Sequence, residues 1–176
     1  MNQQQKKLIV YTYDLLARRR YTVREMIKKL DLANQKSPEP LTEEQLKEIL
    51  EALIQANLLN DREFAQFHID AQVRRKPIGS LKIKKQLQLK GIAPELIEKA
   101  LNAAHLDEIG LALKALDKKL NLLNLNRAAM DLKSKQKICR YLQGLGFKNE
   151  VIYSTLKKAN IKQEELDCLE QSTIDL

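Results

Sequence analysis

The feature that most constrains the fold of this sequence is an internal repeat. Residues 83–104 recur 55 positions later, and eight positions agree in one register. Because the glycine and the apolar positions stay in phase, the agreement indicates a repeated structural unit rather than two unrelated segments. The matched pairs are Ile83 and Ile138, Leu87 and Leu142, Gly91 and Gly146, Ile92 and Phe147, Glu95 and Glu150, Ile97 and Ile152, Leu101 and Leu156, and Ala104 and Ala159.

A weaker copy precedes these two. Met26 and Leu30 lie 57 residues before their counterparts in the second copy, and Ile49 and Leu53 continue the pattern after a longer loop, NQKSPEPLT. The sequence therefore predicts three tandem repeats. Their boundaries are 1–59, 60–106 and 107–159, followed by an acidic C-terminal tail at 160–176 for which a short helix near 164–169 is predicted.

Helix signals divide each repeat into three short helices. Glycine and proline are scarce, at 5 and 4 residues, and helix-forming side chains dominate the composition. The motifs Thr22-Val-Arg-Glu25 and Thr42-Glu-Glu-Gln45 fit the capping box, in which the first and fourth residues bond reciprocally to the backbone. We predict nine helices. Further expected caps are Asn60, Asp107 and Ser134 at helix starts, Pro94 in a first turn, and left-handed Gly91 and Gly146 at helix ends.

The predicted fold class follows from these signals. One three-helix unit is too small to bury its apolar stripe well, so adjacent units stack and share a core. The sequence thus predicts an all-α protein of three tandem three-helix repeats that form an elongated, curved array.

The charge balance indicates an anionic partner. The formal net charge is +8 and the pI is about 9.4, and a positive field concentrates nucleic acids, acidic proteins or anionic membrane surfaces near the chain. No apolar stretch has the length of a membrane span or the form of a secretion signal. Cys139 and Cys168 lie far apart and are interpreted as structural thiols. We therefore expect a cytoplasmic monomer without a membrane partner.

Basic residues concentrate on the second helix of each repeat and on its approach, whereas the third helix of the first repeat is acidic at Glu43, Glu44, Glu48 and Glu51. A generic solvated surface would mix the two signs more evenly. Solubility alone is the other interpretation of the lysines. The candidate partner-binding residues are Arg18, Arg19, Arg20 and Arg24 in the first repeat, Arg74, Arg75, Lys82, Lys84, Lys85 and Lys90 in the second, and Lys137 and Arg140 in the third.

No set of residues predicts catalysis. Asp61 and Glu63 are interpreted as part of a helix cap. We expect Phe64, Ala65 and either Phe67 or Ile69 to enter the core. His68 and His105 are solitary and lack metal-ligand spacing. Tyr141 could stack on a base, but its helical position favours packing. No glycine-rich phosphate loop is present, so we predict no enzyme activity, no cofactor and no metal.

Three segments resemble the RecX family of RecA regulators: LLARRRYTVREMIKKL, LLNDREFAQFHIDAQVRRKPIGSLKIKKQLQLKGI and KSKQKICRYLQGLGFKNEVIYSTL. The resemblance covers about residues 15–159. In the second repeat it is carried by Asn60, Asp61, Phe64, Ala65, Arg74, Gly79, Ile83, Leu87, Gly91 and Ile92, and in the third by Lys137, Ile138, Tyr141, Leu142, Gly146 and Phe147.

The resemblance implies a regulator that lodges in the groove of the RecA filament on single-stranded DNA. Such a protein hinders ATP hydrolysis, strand exchange and cleavage of the SOS repressor, and so acts in DNA repair, recombination and the SOS response. The chain departs from the family pattern in two places. Where the family usually has a Gly-aromatic-Gly turn followed by a basic pair, this chain has Pro77-Ile78-Gly79 and then Leu81-Lys82, and where the third repeat often has basic residues before Gly-Phe, it has Gly144-Leu145. A DNA-binding repeat protein that does not require RecA is the alternative, and weak direct DNA binding is compatible with both.

Overall fold

A computed structural model describes residues 3–125 and 130–161 of the chain. The described residues form nine α-helices and no strand, as the sequence predicted. The helices are α1 (Gln3–Arg18), α2 (Val23–Gln35), α3 (Glu43–Gln55), α4 (Asp61–Arg75), α5 (Ser80–Leu89), α6 (Pro94–Ala103), α7 (Glu108–Leu123), α8 (Leu132–Gly144) and α9 (Asn149–Lys158). The predicted tail helix and Cys168 lie outside the described residues.

Most of the predicted helix starts are confirmed. Both capping boxes are complete, Asn60 accepts a hydrogen bond from the Glu63 backbone N–H, and α6 begins at Pro94. Asp107 caps α7 by accepting from the Gly110 backbone N–H. The prediction for α8 was wrong: this helix begins at Leu132, and its N-cap is Asp131.

Asp131, and not Ser134, is the N-cap of α8. Ser134 stands three residues after Asp131, which is the position whose backbone N–H an N-cap side chain can reach. The Asp131 carboxylate accepts from the Ser134 backbone N–H at 3.1 Å, which satisfies a donor that has no partner inside the helix. Ser134 thus occupies the first turn of α8. A carboxylate in this position also interacts favourably with the positive end of the helix dipole.

The chain divides by its internal contacts into two compact units. Unit 1 contains the described residues of 1–68 and 86–100, and unit 2 contains those of 69–85 and 101–176. The helices of the predicted second repeat are therefore shared between the two units. The three-repeat boundaries and the elongated, curved shape remain predictions.

The core of unit 1 lies among α1, α2 and α3. Met26 and Leu30 of α2 and Ile49 and Leu53 of α3 are at most 5% exposed, so the weak first copy of the pattern does mark core positions. A longer loop joins α2 to α3. Asn34 closes it, because its side-chain amide donates to the Leu41 backbone oxygen and accepts from the Leu41 N–H, at 2.9 and 2.8 Å.

The core of unit 2 lies among α7, α8 and α9. Ile138 and Leu142 of α8, Ile152 and Leu156 of α9 and the Phe147 side chain between them are at most 1% exposed. These are the third-repeat positions that the 55-residue register selected. The Cys139 side chain is buried in the same core, as expected for a structural cysteine.

Left-handed residues recur at equivalent helix ends. Gly91 follows α5 and Gly146 follows α8, and both have a φ of 82°. Asn57, His105 and Asn160 also have positive φ, and each follows the third helix of a predicted repeat. Glycine adopts this conformation without the steric cost that a Cβ brings. The backbone therefore repeats itself where the sequence pattern does.

Candidate interaction surface

The twelve predicted partner-binding residues fall into two groups, one in each unit. The first cationic group belongs to unit 1 and lies at the end of α1, at the start of α2 and just after α5. The second cationic group belongs to unit 2 and lies at the end of α4 and along α5 and α8. The first group comprises Arg18, Arg19, Arg20, Arg24 and Lys90, and the second comprises Arg74, Arg75, Lys82, Lys84, Lys85, Lys137 and Arg140.

Glu25 forms ion pairs with two members of the first cationic group. Arg19 and Lys90 each place a side-chain nitrogen 2.9 Å from its carboxylate. Burial raises the pKa of Glu25, but the hydrogen bonds and charges of Lys90 and Arg19 outweigh burial and hold that pKa below its ordinary value. The same carboxylate completes the capping box with Thr22, so it anchors these cations within unit 1.

Two further polar contacts hold the loop between α1 and α2. The Thr22 hydroxyl donates to the Lys90 backbone oxygen at 2.8 Å, and Asp61 accepts from the Val23 backbone N–H at 2.9 Å. Burial raises the pKa of Asp61 despite that hydrogen bond. Asp61 therefore joins α4 to the start of α2, a role beyond the cap of its own helix that the sequence suggested.

Arg20 lies across one face of α4. Its guanidinium stands 4.9 Å from the ring centre of Phe67 and 3.7 Å from the Glu63 carboxylate, one turn earlier. Phe67 is 53% exposed, whereas Phe64, Ala65 and Ile69 are buried. Of the two alternatives that the sequence left open, Ile69 is thus the residue that enters the core.

The two remaining members of the first cationic group differ. The Arg24 side chain lies against Gly91, where an added Cβ would meet its methylene carbons. Arg18, at the end of α1, is exposed. The structure shows no ion pair to either guanidinium within the described part of the chain.

Lys82 in the second cationic group serves a helix end. Its Nζ donates to the Gly144 backbone oxygen at 3.0 Å, at the last residue of α8. Next to it, the backbone N–H groups of Gly79 and Leu81 donate to the carbonyls of Leu145 and Gly146 at 2.9 and 3.1 Å. These bonds satisfy carbonyls that have no partner within the helix. The Lys82 charge is therefore partly committed to the fold.

Most of the second cationic group points to solvent. Lys84 is partly buried and has a polar partner. Apart from Lys82, the other side chains are exposed, and across residues 3–125 and 130–161 none of them forms an ion pair. These exposed cations are Arg74, Arg75, Lys85, Lys137 and Arg140.

His68 and Tyr141, which the sequence analysis considered for catalysis or base stacking, both pack against other side chains of the protein. The His68 ring lies 3.0 Å from the Gln86 amide oxygen and is stacked near Phe64, with ring centres 6.1 Å apart. Tyr141 is half-buried against the core of unit 2, and the Lys119 ammonium lies 4.9 Å from its ring centre. In the part of the chain that the structure describes, no three metal-ligating side chains converge, and no helix has the length and apolar character of a membrane span.

Sequence reasoning missed the contribution of the acids. Glu25 was identified as a capping residue, and only its position five residues after the arginine run 18–20 could have indicated an ion pair. The exposure of Phe67 was also missed, because a helical pattern with two adjacent apolar faces does not determine which one is buried. Both features decide how many cations in unit 1 remain available.

The chain was compared with known proteins. A family model described as the RecX second three-helix domain matches residues 60–101. The regulatory protein RecX of Mannheimia succiniciproducens is 35% identical over 138 residues, which cover 78% of this chain and 84% of that protein. The regulatory protein RecX of Chlorobaculum tepidum is 33% identical over 128 residues, covering 70% of this chain and 76% of that protein.

Solved structures agree in fold. The crystal structure of RecX from Lactobacillus salivarius has a TM-score of 0.77 at 21% identity, covering 90% of this chain and 97% of that one. A second crystal structure, of a regulatory protein RecX, has a TM-score of 0.73 at 26% identity and covers 88% of this chain and 72% of that one. Together with sequence identity over most of the chain, this agreement shows that the protein belongs to the RecX family of regulatory proteins.

Proposed function

We propose that this protein binds the RecA filament on single-stranded DNA and inhibits its recombinase, ATPase and coprotease activities without catalysing a reaction itself. It would act in the cytoplasm as a monomer, in DNA repair and the SOS response. The observation that carries the proposal is membership of the RecX family, combined with a set of exposed cations that no described acid neutralises.

The second cationic group is the better candidate for the contact surface. Arg74 and Arg75 project from the last turn of α4, and each guanidinium offers paired donors that fit a carboxylate or a phosphate. Lys85 lies on the exposed side of α5, two residues after the buried Ile83. Because these side chains have no described acidic partner, an anionic target meets them without first breaking an ion pair.

The first cationic group is less available. Glu25 pairs with both Arg19 and Lys90 and offsets one of their two positive charges, and Glu63 lies close to Arg20. Displacing these acids would cost part of the attraction that a phosphate provides. We therefore expect this group to attract anions mainly through Arg18 and Arg24.

One binding experiment separates this proposal from a DNA-binding protein that does not need RecA. The full chain is titrated into RecA-coated single-stranded DNA, into the same DNA without RecA, and into RecA without DNA, at physiological salt. The proposal expects tight binding to the coated DNA and much weaker binding to the other two. Equally tight binding to bare DNA, with a steep loss of affinity as salt rises, would favour the alternative.

A second readout tests the inhibitory part of the proposal. RecA ATPase activity on single-stranded DNA is measured as the protein is added. We expect the rate to fall over the concentration range in which the coated DNA is bound. Binding without any change in the rate would support a filament-binding protein and would contradict inhibition.

A further inference from the structure

We infer that Arg20 and Phe67 form a stacking platform for one unpaired base of single-stranded DNA. The inference rests on the proposed function, because it names a residue pair through which the protein would touch the DNA of its target. It is carried by geometry in unit 1 alone, where a planar cation covers the ring of an exposed aromatic residue.

The exposure of Phe67 is unusual within this chain. All eight aromatic residues lie in the described part, and only Phe67 and Tyr13 are more than half exposed, at 53% and 52%. Single exposed apolar side chains are common on protein surfaces and need no explanation. Phe67 differs from Tyr13 because a guanidinium lies over its ring, and the described residues place no cation over Tyr13.

Arg20 is itself accessible. Its side chain is 55% exposed, and its contact with Glu63 is 3.7 Å long between two exposed groups. An exposed pair at this distance is weak and is screened by salt. The guanidinium thus remains available, and it lies next to Phe67 and Glu63, which stand four residues apart on α4.

A base fits this arrangement from outside. Aromatic rings and guanidinium groups both stack on bases, and such stacking is tolerant of base identity. The adjacent cleft, lined in part by Tyr21, Leu58 and Phe64, has a volume of about 30 Å³ and cannot admit a base. The base would therefore lie on the outer surface, while the exposed Arg18, two residues earlier in the sequence, provides positive charge for the neighbouring phosphates.

The competing structural interpretation is that Arg20 merely covers Phe67. It predicts that changing either residue alters stability and leaves the recognition of bases unchanged. The decisive measurement is therefore the difference in affinity between DNA that has bases and DNA that lacks them, because phosphate attraction contributes to both.

The test uses the full chain without RecA, at low ionic strength. Fluorescence anisotropy measures binding to a labelled oligothymidylate and to an oligonucleotide of equal length whose internal nucleotides are abasic. The variants are Phe67→Leu, which removes the ring, and Arg20→Lys, which keeps the charge and removes the plane. Tyr13→Leu and Arg18→Lys are the matched controls, and circular dichroism checks that all four variants are folded.

The wild type should prefer the oligothymidylate by about tenfold, the scale expected of one stacked base. Phe67→Leu should lose most of this preference and Arg20→Lys part of it, while affinity for the abasic oligonucleotide stays constant. Both controls should keep the preference. A wild type without preference, a preference that survives Phe67→Leu, or no binding to either oligonucleotide overturns the platform. None of these outcomes affects binding to RecA-coated DNA, so the proposed function is judged separately.

Discussion

The glycine turns of the two units have the same backbone conformation but different neighbours. Gly91 in unit 1 and Gly146 in unit 2 both have a φ of 82°. The residue before each turn glycine has a carbonyl that accepts a hydrogen bond from the equivalent position of the preceding repeat. In unit 1 the donor is the Thr22 hydroxyl to Lys90, and in unit 2 it is the Gly79 backbone N–H to Leu145.

The same connection is thus built once from side chains and once from backbone. Thr22 and Gly79 stand 57 residues apart, the shift that relates the first two repeats. In unit 1, where the Thr22 side chain makes the connection, Glu25 also forms ion pairs with Arg19 and with Lys90, the residue before Gly91. The backbone version lacks a Cβ at Gly79, where one would collide with the Gly146 carbonyl. At this turn two backbones approach closely where unit 1 has the ion pairs of Glu25. The described residues show no ion pair to Arg74, Arg75 or Lys85 of unit 2.

The largest expected effect separates the two turns. Gly146→Ala places a Cβ against the backbone and Cβ of Lys82 in a left-handed conformation. We expect a loss of about 4 kcal/mol in the free energy of unfolding, from conformational strain and overpacking together. Gly91→Ala meets only the flexible Arg24 side chain, and should cost about 1.5 kcal/mol. Urea denaturation measures both.

Gly144→Ala is the control for this pair. It lies in the same region, has no heavy atom within 4 Å of an added Cβ, and ends α8. We expect its free energy of unfolding to lie within about 1 kcal/mol of the wild-type value. Equal costs for Gly146→Ala and Gly91→Ala would show that backbone approach does not distinguish the two turns.

The next effect concerns three exposed cations of unit 2. A triple variant, Arg74→Gln, Arg75→Gln and Lys85→Gln, removes three exposed charges that have no ion pair in the described chain. We expect affinity for RecA-coated DNA to fall at least tenfold, or about 1.4 kcal/mol. The helical content should stay unchanged, because none of the three side chains is buried.

The matched control removes three exposed lysines from other positions. These are Lys99, Lys114 and Lys118, changed together to Gln. The net charge of both triple variants is the same, so an affinity loss confined to the first variant identifies a site. Equal losses would instead indicate a general effect of charge on the long-range field.

Much of the fold could be predicted from local signals, and less of the surface. Ile138, Leu142 and Gly146 recur with the spacing that the core requires, and side-chain oxygens mark where α2, α3 and α7 begin. Such signals act over a few residues. The pairing of Glu25 with Lys90 joins residues 65 positions apart. Neither composition nor helical periodicity can predict a contact over that separation. The count of basic residues therefore overestimated the number of cations available in unit 1.

A smaller effect should follow from removing the acid of unit 1. Glu25→Gln keeps the capping geometry but withdraws the charge that Arg19 and Lys90 share. We expect a loss of about 1 kcal/mol at neutral pH, because the group is partly exposed and solvent screens the pairs. Arg19→Lys is a useful comparison, since it retains the charge. An unchanged stability of Glu25→Gln would mean that the ion pairs contribute nothing.

The contribution of Glu25 to the free energy of unfolding should depend on pH. The pKa of Glu25 is lower in the folded protein than its ordinary value of 4.5. Its contribution is therefore fully present above pH 4.5 and disappears as the pH falls through the lower folded value. The stability difference between the wild type and Glu25→Gln should shrink over that acidic range. A difference that stays constant during acidification would contradict the assigned pKa shift.

The smallest effect is expected at Asp61, whose pKa shifts in the opposite direction. Burial raises that pKa above its ordinary value of 3.8, so the protonated carboxyl group stabilises the fold fully below pH 3.8, and this contribution is lost as the pH rises through the higher folded pKa. Asp61→Asn keeps an oxygen that can accept from the Val23 N–H and removes the buried charge. We expect unchanged or slightly increased stability at pH 7, measured by urea denaturation. Marked destabilisation by Asp61→Asn would show that unit 1 depends on the negative charges of both Glu25 and Asp61. The contrast with unit 2, where backbone groups make the equivalent connection, would then be larger than the loss at Glu25 alone indicates.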